Sequence, residues 1–371
     1  MDLIEVTEGR TQFFIPLQDP GVPFPPGTAA VFFNRRMELN RDATVLLTSI
    51  TRPYRYLDAM AGTGVRGLRI ANECGIPVTV NDRNKKAEEL IRMNVCRSRL
   101  PIEVLAEDVN VLLSLRHFDA VDLDPFGTPA PFTDAGIRSA NRFLFITATD
   151  TAPLCGAHMK AGVRRYFAFP LNTEYHSEVG LRILMGFIAR EAAKYDKGIE
   201  PLFCFAREHY IRLHLGVLQG AMKADRSLGH LGFVFQCPGC PHRTEQSGLR
   251  VNIIRCEYCG CEMTPVGPLW IGAISSPETI ALMLHELPRM NLGTALELER
   301  LLVLCGEELP LASFYDYHRL AKELKISPPQ IGFVLDQLKK RGFQASRTHH
   351  AGTGIKTDAP LAELYASIHA Y

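Results

Sequence analysis

The spacing of apolar and polar positions divides this chain into four stretches. Residues 1–50 keep no steady period, and Pro16, Pro20, Pro23, Pro25 and Pro26 exclude a long helix before Gly27. They read as an irregular lead-in and a lid over a substrate or cofactor, with a helix over 43–50 at its end. From Tyr54 short apolar runs alternate with helical periods. Strands are predicted at 56–58, 78–82 and 102–105, at 117–121 with an end at Asp122 or Asp124, and at 142–147. Helices are predicted between them at about 65–72, 87–97 and 133–140. A longer amphipathic helix over 174–195 follows, then two strands, 202–205 and 210–217, that complete the sheet as a hairpin. This alternation predicts an α/β fold with a parallel, doubly wound sheet over 51–220, whose ligands bind beyond the carboxyl ends of the strands.

The rhythm then changes. Residues 221–275 carry paired cysteines and few helical signals. In 276–371 helices return: 314–324 and 330–340, joined through Ser327-Pro328-Pro329, read as a helix-turn-helix, and 343–357, rich in Gly and Thr, as a hairpin wing.

Chemistry-bearing residues gather at the predicted strand ends. Asp58 closes the first strand beside Gly62-Thr63-Gly64, where glycines let a backbone turn sharply and approach a ligand. Asp82 closes the second strand, a position from which a carboxylate accepts hydrogen bonds from ribose hydroxyls. Asp108 closes the third and suits an adenine amine, with the Val109 backbone beside it. The bland alternative is that Asp82 and Asp108 cap helices. Gly62, Gly64 and Gly67 also satisfy Gly-x-Gly-x-x-Gly, so this loop alone does not separate a dinucleotide from another adenosine cofactor.

The fourth strand tilts the choice. It runs into Asp122-Leu123-Asp124-Pro125-Phe126-Gly127. A carboxylate here can accept the N–H of a planar amine, an aromatic ring can stack on its base, and proline stiffens the turn that carries both. Hydride transfer requires none of this. The exocyclic amine of a purine is a poor nucleophile that must be oriented and relieved of a proton, which suits Asp124. Phe126 would stack on the base, and Phe32 or Phe33 could cover its other face once the base is extruded from its helix. Core packing is the alternative for Phe32 and Phe33. The two motifs together predict methyl transfer from S-adenosylmethionine to the amine of a nucleobase.

Cys237-Pro-Gly-Cys240 and Cys256-Glu-Tyr-Cys259 stand 15 residues apart, the spacing of a structural zinc site with four thiolate ligands and no open position. Cys261 and His242 are spare donors. The other cysteines among the ten are mostly scattered singly, which argues against a secreted disulfide framework. Net charge is +1, yet residues 317–356 hold eight Lys/Arg against two Asp/Glu, a candidate phosphate-facing segment or else a solvated helix face. No apolar run is long enough for a membrane and residues 1–10 carry acids with no apolar stretch, so a soluble, cytoplasmic protein is expected.

These motifs resemble those of the archaeal and eukaryotic tRNA (guanine-26-N2)-dimethyltransferases. The likeness covers most of the chain. It includes residues 31–42 (Val-Phe-Phe-Asn-Arg-Arg-Met-Glu-Leu-Asn-Arg-Asp), 57–69, 122–129, 147–158, 192–198, and Arg347-Thr-His-His with Gly354-Ile-Lys-Thr357. The resemblance implies a class I (Rossmann-like) methyltransferase domain, S-adenosylmethionine as donor and tRNA as partner; the cysteine spacing and the helix pattern add a C-terminal region with a zinc-binding insert and a winged-helix-like end. The resemblance also implies cofactor contacts from Arg41, Arg66, Asp82, Asp108 and Val109, to which the strand-end reading adds Asp58 and Gly62. Asp124 falls on the catalytic acid, and Phe32 and Phe126 on the pair enclosing guanine. Lys339, Lys340, Arg341, Arg347 and Lys356 are the expected phosphate contacts. Two departures stand out: family members often carry Tyr-Asn-Pro where this chain has Phe33-Asn34-Arg35, and not all keep the cysteine pairs. Adenine N6 methylation and non-catalytic RNA binding on the same fold are the competing readings.

Overall fold

The structure is a computed structural model that describes residues 2–17 and 31–370. Pro20, Pro23, Pro25, Pro26 and Gly27, and with them part of the expected lid, lie outside the described residues. The expectation of an irregular lead-in needs correction on both sides of that gap. Strands β1 (Leu3–Glu8) and β2 (Thr11–Pro16) form an antiparallel hairpin, Leu3 opposite Pro16 and Glu8 opposite Thr11. It turns on Gly9, whose φ of 61° suits a two-residue loop. Phe13 and Ile15 alternate inward from β2 and pack on Val65 and Leu68. Helix α1 (Glu38–Thr51) starts five residues earlier than expected, after a short turn over Arg35–Met37 in which the Asn34 side chain accepts from the Arg36 amide at 3.0 Å. Its first turns carry Asn40, Arg41, Asp42 and Thr44, all buried, so an apolar-periodicity argument finds the helix late.

The alternation after Tyr54 is realised. Strands β3 (Tyr56–Asp58), β4 (Val78–Asn81), β5 (Ile102–Leu105), β6 (Phe118–Leu123) and β7 (Ala140–Ala148) pair in parallel. Helices α2 (Val65–Arg69), α3 (Lys85–Ser98), α4 (Val109–Leu115) and α5 (Ala130–Ser139) connect them. With β8 (Lys197–Arg207) and β9 (Tyr210–Gln219) the seven-stranded sheet has the order β5-β4-β3-β6-β7-β9-β8. The chain runs outward from β3 to β5 and then returns to place β6 on the other side of β3. Open α/β sheets bind ligands at such a reversal, and here it lies at the carboxyl ends of β3 and β6, where Asp58 and Asp122 stand in register.

The chain divides into two compact units. One comprises Met1–Ala148, His214–Leu218 and Pro277–Leu302; the other comprises Thr149–Leu213, Gln219–Ser276 and Val303–Tyr371. The second holds α6 (Met159–Tyr166) and α7 (His176–Ala193). It also holds α8 (Ala221–Leu228), a helix not anticipated in the cysteine-bearing stretch. Strands β10 (Leu231–Gln236), β11 (Arg243–Ser247) and β12 (Thr264–Trp270) form an antiparallel sheet of order β11-β10-β12. After α9 (Pro277–Glu286) and α10 (Ala295–Glu307), the chain ends in β13 (Tyr315–Asp316), α11 (Tyr317–Glu323), α12 (Ile331–Lys340), β14 (Ala345–Thr348), β15 (Ala351–Thr357) and α13 (Leu361–His369). Leu320, Val334, Leu338, Ile355, Leu364 and Ile368 form the core of that end. Helix α11 begins later than expected because Tyr315 pairs with Ile355 as a strand and Asp316 caps the helix, accepting from the His318 amide at 3.0 Å. Among the described residues no helix is long and apolar enough to cross a membrane.

Candidate active site

The glycine turn after β3 is tied down by carboxylates. Buried Asp58 accepts from the Gly67 amide at 2.9 Å. Gly67 has no room for a side chain: a Cβ there would meet Val80 Cγ2 at 2.5 Å, so α2 lies directly on β4. Burial, opposed by Arg66 but reinforced by Asp122, pushes the Asp58 carboxyl up to about 7. Asp82 accepts from the Gly62 amide at 2.8 Å through one oxygen and from the Asn84 amide at 2.9 Å through the other. Burial raises its pKa although both bonds favour the charged form. Each carboxylate oxygen has a second lone-pair direction, so ribose hydroxyls could still be accepted.

Asp108 caps α4, accepting from the Asn110 amide at 2.9 Å and the Val111 amide at 3.3 Å; its side chain is half exposed, and Val109 beside it is buried. Asn81, which sequence reasoning passed over, stitches three strand ends together. Its amide donates to Ala59 O at 3.0 Å and Glu107 O at 3.1 Å, and its Oδ1 accepts from the Glu107 amide at 2.9 Å. The available signal was a polar residue directly before Asp82 in an apolar strand.

Arg66 organises the other side. Its Nη1 donates to Asn40 Oδ1 at 2.9 Å and Thr44 Oγ1 at 3.0 Å, its Nε lies 3.6 Å from Asp122, and its Nη2 pairs with Asp124. Asp122 is fully buried and accepts from the Tyr56 hydroxyl, so it is neither a helix cap nor exposed. Asp124, just beyond β6, keeps about a fifth of its side chain exposed (22%), and Phe126 on the same turn is 80% exposed. Phe32 is half-buried, and its carbonyl lies 3.8 Å from where a Cβ on Gly62 would sit; Phe33 is buried against Phe13. The structure therefore brings Asp58, Gly62, Asp82, Arg66, Asp124 and the Phe32 backbone to one end of the sheet.

Arg41 belongs to a neighbouring ion network. It forms a bidentate pair with Glu8 at 2.7 and 2.6 Å, donates to Asn34 O at 3.1 Å, and lies 4.8 Å over the Phe33 ring. Arg69 joins Glu8 at 2.8 Å and Asp42 at 2.7 Å. Glu8 went unnoticed because the hairpin that carries it did.

The paired cysteines converge. The sulfurs of Cys237, Cys240, Cys256 and Cys259 all lie within 4.8 Å of one another, with Cys237–Cys259 at 3.3 Å and Cys240–Cys256 at 3.5 Å. Four sulfurs at about 2.3 Å from a tetrahedral zinc stand roughly 3.8 Å apart, so the set fits such an ion with small adjustments. Phe233, Phe235 and Met263 pack around Cys237 and Cys256.

The basic segment splits. Lys339, Lys340, Arg341 and Arg347 are exposed, Arg341 pairing with Glu363 at 2.9 Å. Lys356 corrects the expectation of a phosphate contact. It is 1% exposed, and its ammonium lies 2.5 Å from Glu178, 2.9 Å from Glu308 and 2.8 Å from Leu311 O. Residues 354–357 of β15 are buried on both faces of the strand, so the face opposite Ile355 is covered too, which charge counting does not register.

Comparison with known proteins gives one answer over the whole length. The family model described as N2,N2-dimethylguanosine tRNA methyltransferase matches residues 18–369. A tRNA (guanine(26)-N(2))-dimethyltransferase of Methanoregula boonei is 61% identical over 99% of this chain and 98% of its own. That of Methanosphaerula palustris is 57% identical over 100% of both. The solved complex of Trm1 from Pyrococcus horikoshii with S-adenosyl-L-methionine superposes with a TM-score of 0.89 at 36% identity, covering 99% of this chain and 100% of that one. This chain belongs to the Trm1 family of tRNA (guanine26-N2)-dimethyltransferases.

Proposed function

We propose that this protein methylates the N2 amine of guanine 26 in tRNA twice, and that Asp124 is the group that orients that amine and receives its proton. The observation that carries this reading is the turn after β6. It presents a partly exposed carboxylate and an exposed phenyl ring two residues apart, at the end of the strand that faces the glycine turn. The names of the relatives favour guanine N2 over adenine N6.

S-adenosylmethionine supplies an electrophilic methyl carbon when bound. The chain's residues do the rest. Asp82, Asp108, Gly62 and the Val109 backbone would hold the adenosine side, while Asp58 holds the glycine turn through Gly67. Arg66 would supply positive charge toward the methionine end, with Arg41 held by Glu8 in the adjoining network. Phe126 and Phe32 enclose the extruded guanine, whose stacking is worth about 1–3 kcal/mol. Asp124, paired with Arg66 and partly exposed, offers its carboxylate oxygens to the amine N–H bonds. As the nitrogen lone pair forms its bond to the methyl carbon, the bond from that carbon to sulfur breaks and the neutral thioether leaves with its electron pair; the N–H becomes acidic and its proton passes to Asp124. For the second turnover the same carboxylate accepts the one remaining N–H. Asp124→Asn should abolish transfer while leaving cofactor binding intact; normal turnover in that variant rules the assignment out.

The four-cysteine cluster would hold a zinc ion whose part is structural, fixing the turns that follow β10 and precede β12. The α11–α12 pair with the β14–β15 hairpin is winged-helix-like, and Lys339, Lys340, Arg341 and Arg347 are its proposed phosphate contacts. Nucleoside mass spectrometry of unmodified tRNA incubated with the enzyme and labelled donor tests the substrate assignment.

A further inference from the structure

We propose that the outer face of α6 and the Phe167–Phe169 segment after it form a second tRNA-binding surface that stacks on unpaired bases and contacts the adjoining phosphates; this rests on the tRNA reading above. Helix α6 has two distinct faces. Gly162 and Tyr166, four residues apart, are buried: a Cβ on Gly162 would meet Pro153 O at 2.4 Å, and the Tyr166 ring packs edge-on to Phe187 at 5.6 Å. Lys160 and Arg164, also four apart, are exposed on the other face, and Phe167 continues that stripe. Between Ala157 and Phe169 there are His158, Lys160, Arg164 and Arg165 and no acidic residue. Arg165 pairs with Asp150, whereas among the described residues no ion pair involves Lys160 or Arg164.

Two phenyl rings follow this helix in the chain and stand in the open. Phe167 is 70% exposed and Phe169 59%. Neither is loose. Phe167 has φ 49° and ψ 42°, left-handed backbone that favours glycine, and its amide closes the helix on Val163 O at 2.9 Å. Arg190 braces the same turn from α7, donating to Tyr166 O at 2.7 Å, Phe167 O at 3.1 Å and Gly186 O at 3.2 Å. Phe169 exchanges two backbone hydrogen bonds with Gly267, at 2.7 and 3.0 Å. A strained backbone braced on both sides, with exposed aromatics and unpaired cations, serves no burial purpose. Exposed rings on a braced backbone, with positive charge nearby in the chain, match a polyanion with accessible bases.

The test uses the full-length protein and an unmodified tRNA transcript, with affinity measured across a salt series. Phe167→Gly removes the ring and suits the left-handed backbone, so the fold should be at least as stable as the wild type. Its tRNA affinity should fall about five-fold or more, with S-adenosylmethionine affinity unchanged. Lys160→Gln with Arg164→Gln should reduce the slope of log affinity against log salt by about 1.5. Variants indistinguishable from a wild type that binds and methylates tRNA overturn this surface alone. A wild type that neither binds nor methylates tRNA overturns both readings. Variants that change only the oligomeric state assign the face to self-association instead and also overturn the proposal.

Discussion

Arg66 and Asp124 stand 58 residues apart in sequence and form an ion pair at the mouth of the candidate site. The pair joins α2, which follows the glycine turn, to the turn after β6 that carries the proposed acceptor carboxylate. Arg66 also faces Asp122, which is fully buried. Replacing Arg66 by Ala would leave a buried carboxylate without its cation, a loss of about 3–5 kcal/mol where such pairs are broken. Urea unfolding should register a drop of that order, and Arg66→Lys should recover part of it by restoring the charge without the planar fork.

Asp58 gives stability a pH dependence with a definite sign. Its carboxyl moves from 3.8 to about 7 on folding because burial disfavours the charge, with Asp122 adding to the effect and Arg66 opposing it. The folded state therefore binds the proton more tightly than the unfolded chain. The stability this contributes is complete below about pH 4 and is lost as pH rises toward and through 7. Asp58→Asn keeps an acceptor for the Gly67 amide and removes the titration. Its unfolding free energy should decline less between pH 4 and pH 7 than that of the wild type.

The cysteine cluster predicts about one zinc per chain. Stripping it with a strong chelator, or replacing Cys256 by Ser, should loosen residues 231–270 to amide exchange, since bound metal is folding free energy for a small closed site. S-adenosylmethionine binding should persist. A protein that holds no zinc after purification in zinc-supplemented medium would refute the ligand set.

Lys356 and Lys339–Arg341 should behave oppositely, although their charges are alike. Lys356→Met removes the cation that Glu178 and Glu308 share, leaving Arg182 on the one and His349 on the other, and should cost about 1–3 kcal/mol of stability. Its effect on the salt dependence of tRNA binding should be nil. Neutralising Lys339, Lys340 and Arg341 together should do the reverse: little change in melting temperature, and a salt slope lowered by about 2.

These contrasts mark what the sequence could and could not reveal. The parallel sheet was legible because each strand is a short, mostly apolar run with an acid at its end or within two residues beyond it, and each connection keeps a helical period. The four cysteines were legible because ligand spacing is a local property. The hairpin over 3–16 was overshadowed by the prolines that follow it. The polar face of α1 was hidden for a different reason: Asn40, Arg41, Asp42 and Thr44 look solvent-facing one by one, and are buried only because Glu8, Arg66, Arg69 and His214 arrive from elsewhere to satisfy them. Lys356 misled in the same way, since its partner Glu178 lies 178 residues upstream. Periodicity assigns the faces of an element, but long-range pairing decides which polar residues go inside.

The most direct test of the account is single-turnover methylation of unmodified tRNA by Asp124→Asn beside the wild type, with S-adenosylmethionine and tRNA affinities measured on the same preparations. The account predicts both affinities within a few-fold of the wild type and a methyl-transfer rate lower by about a hundred-fold or more. A variant that binds both partners and transfers methyl groups at the wild-type rate would contradict it.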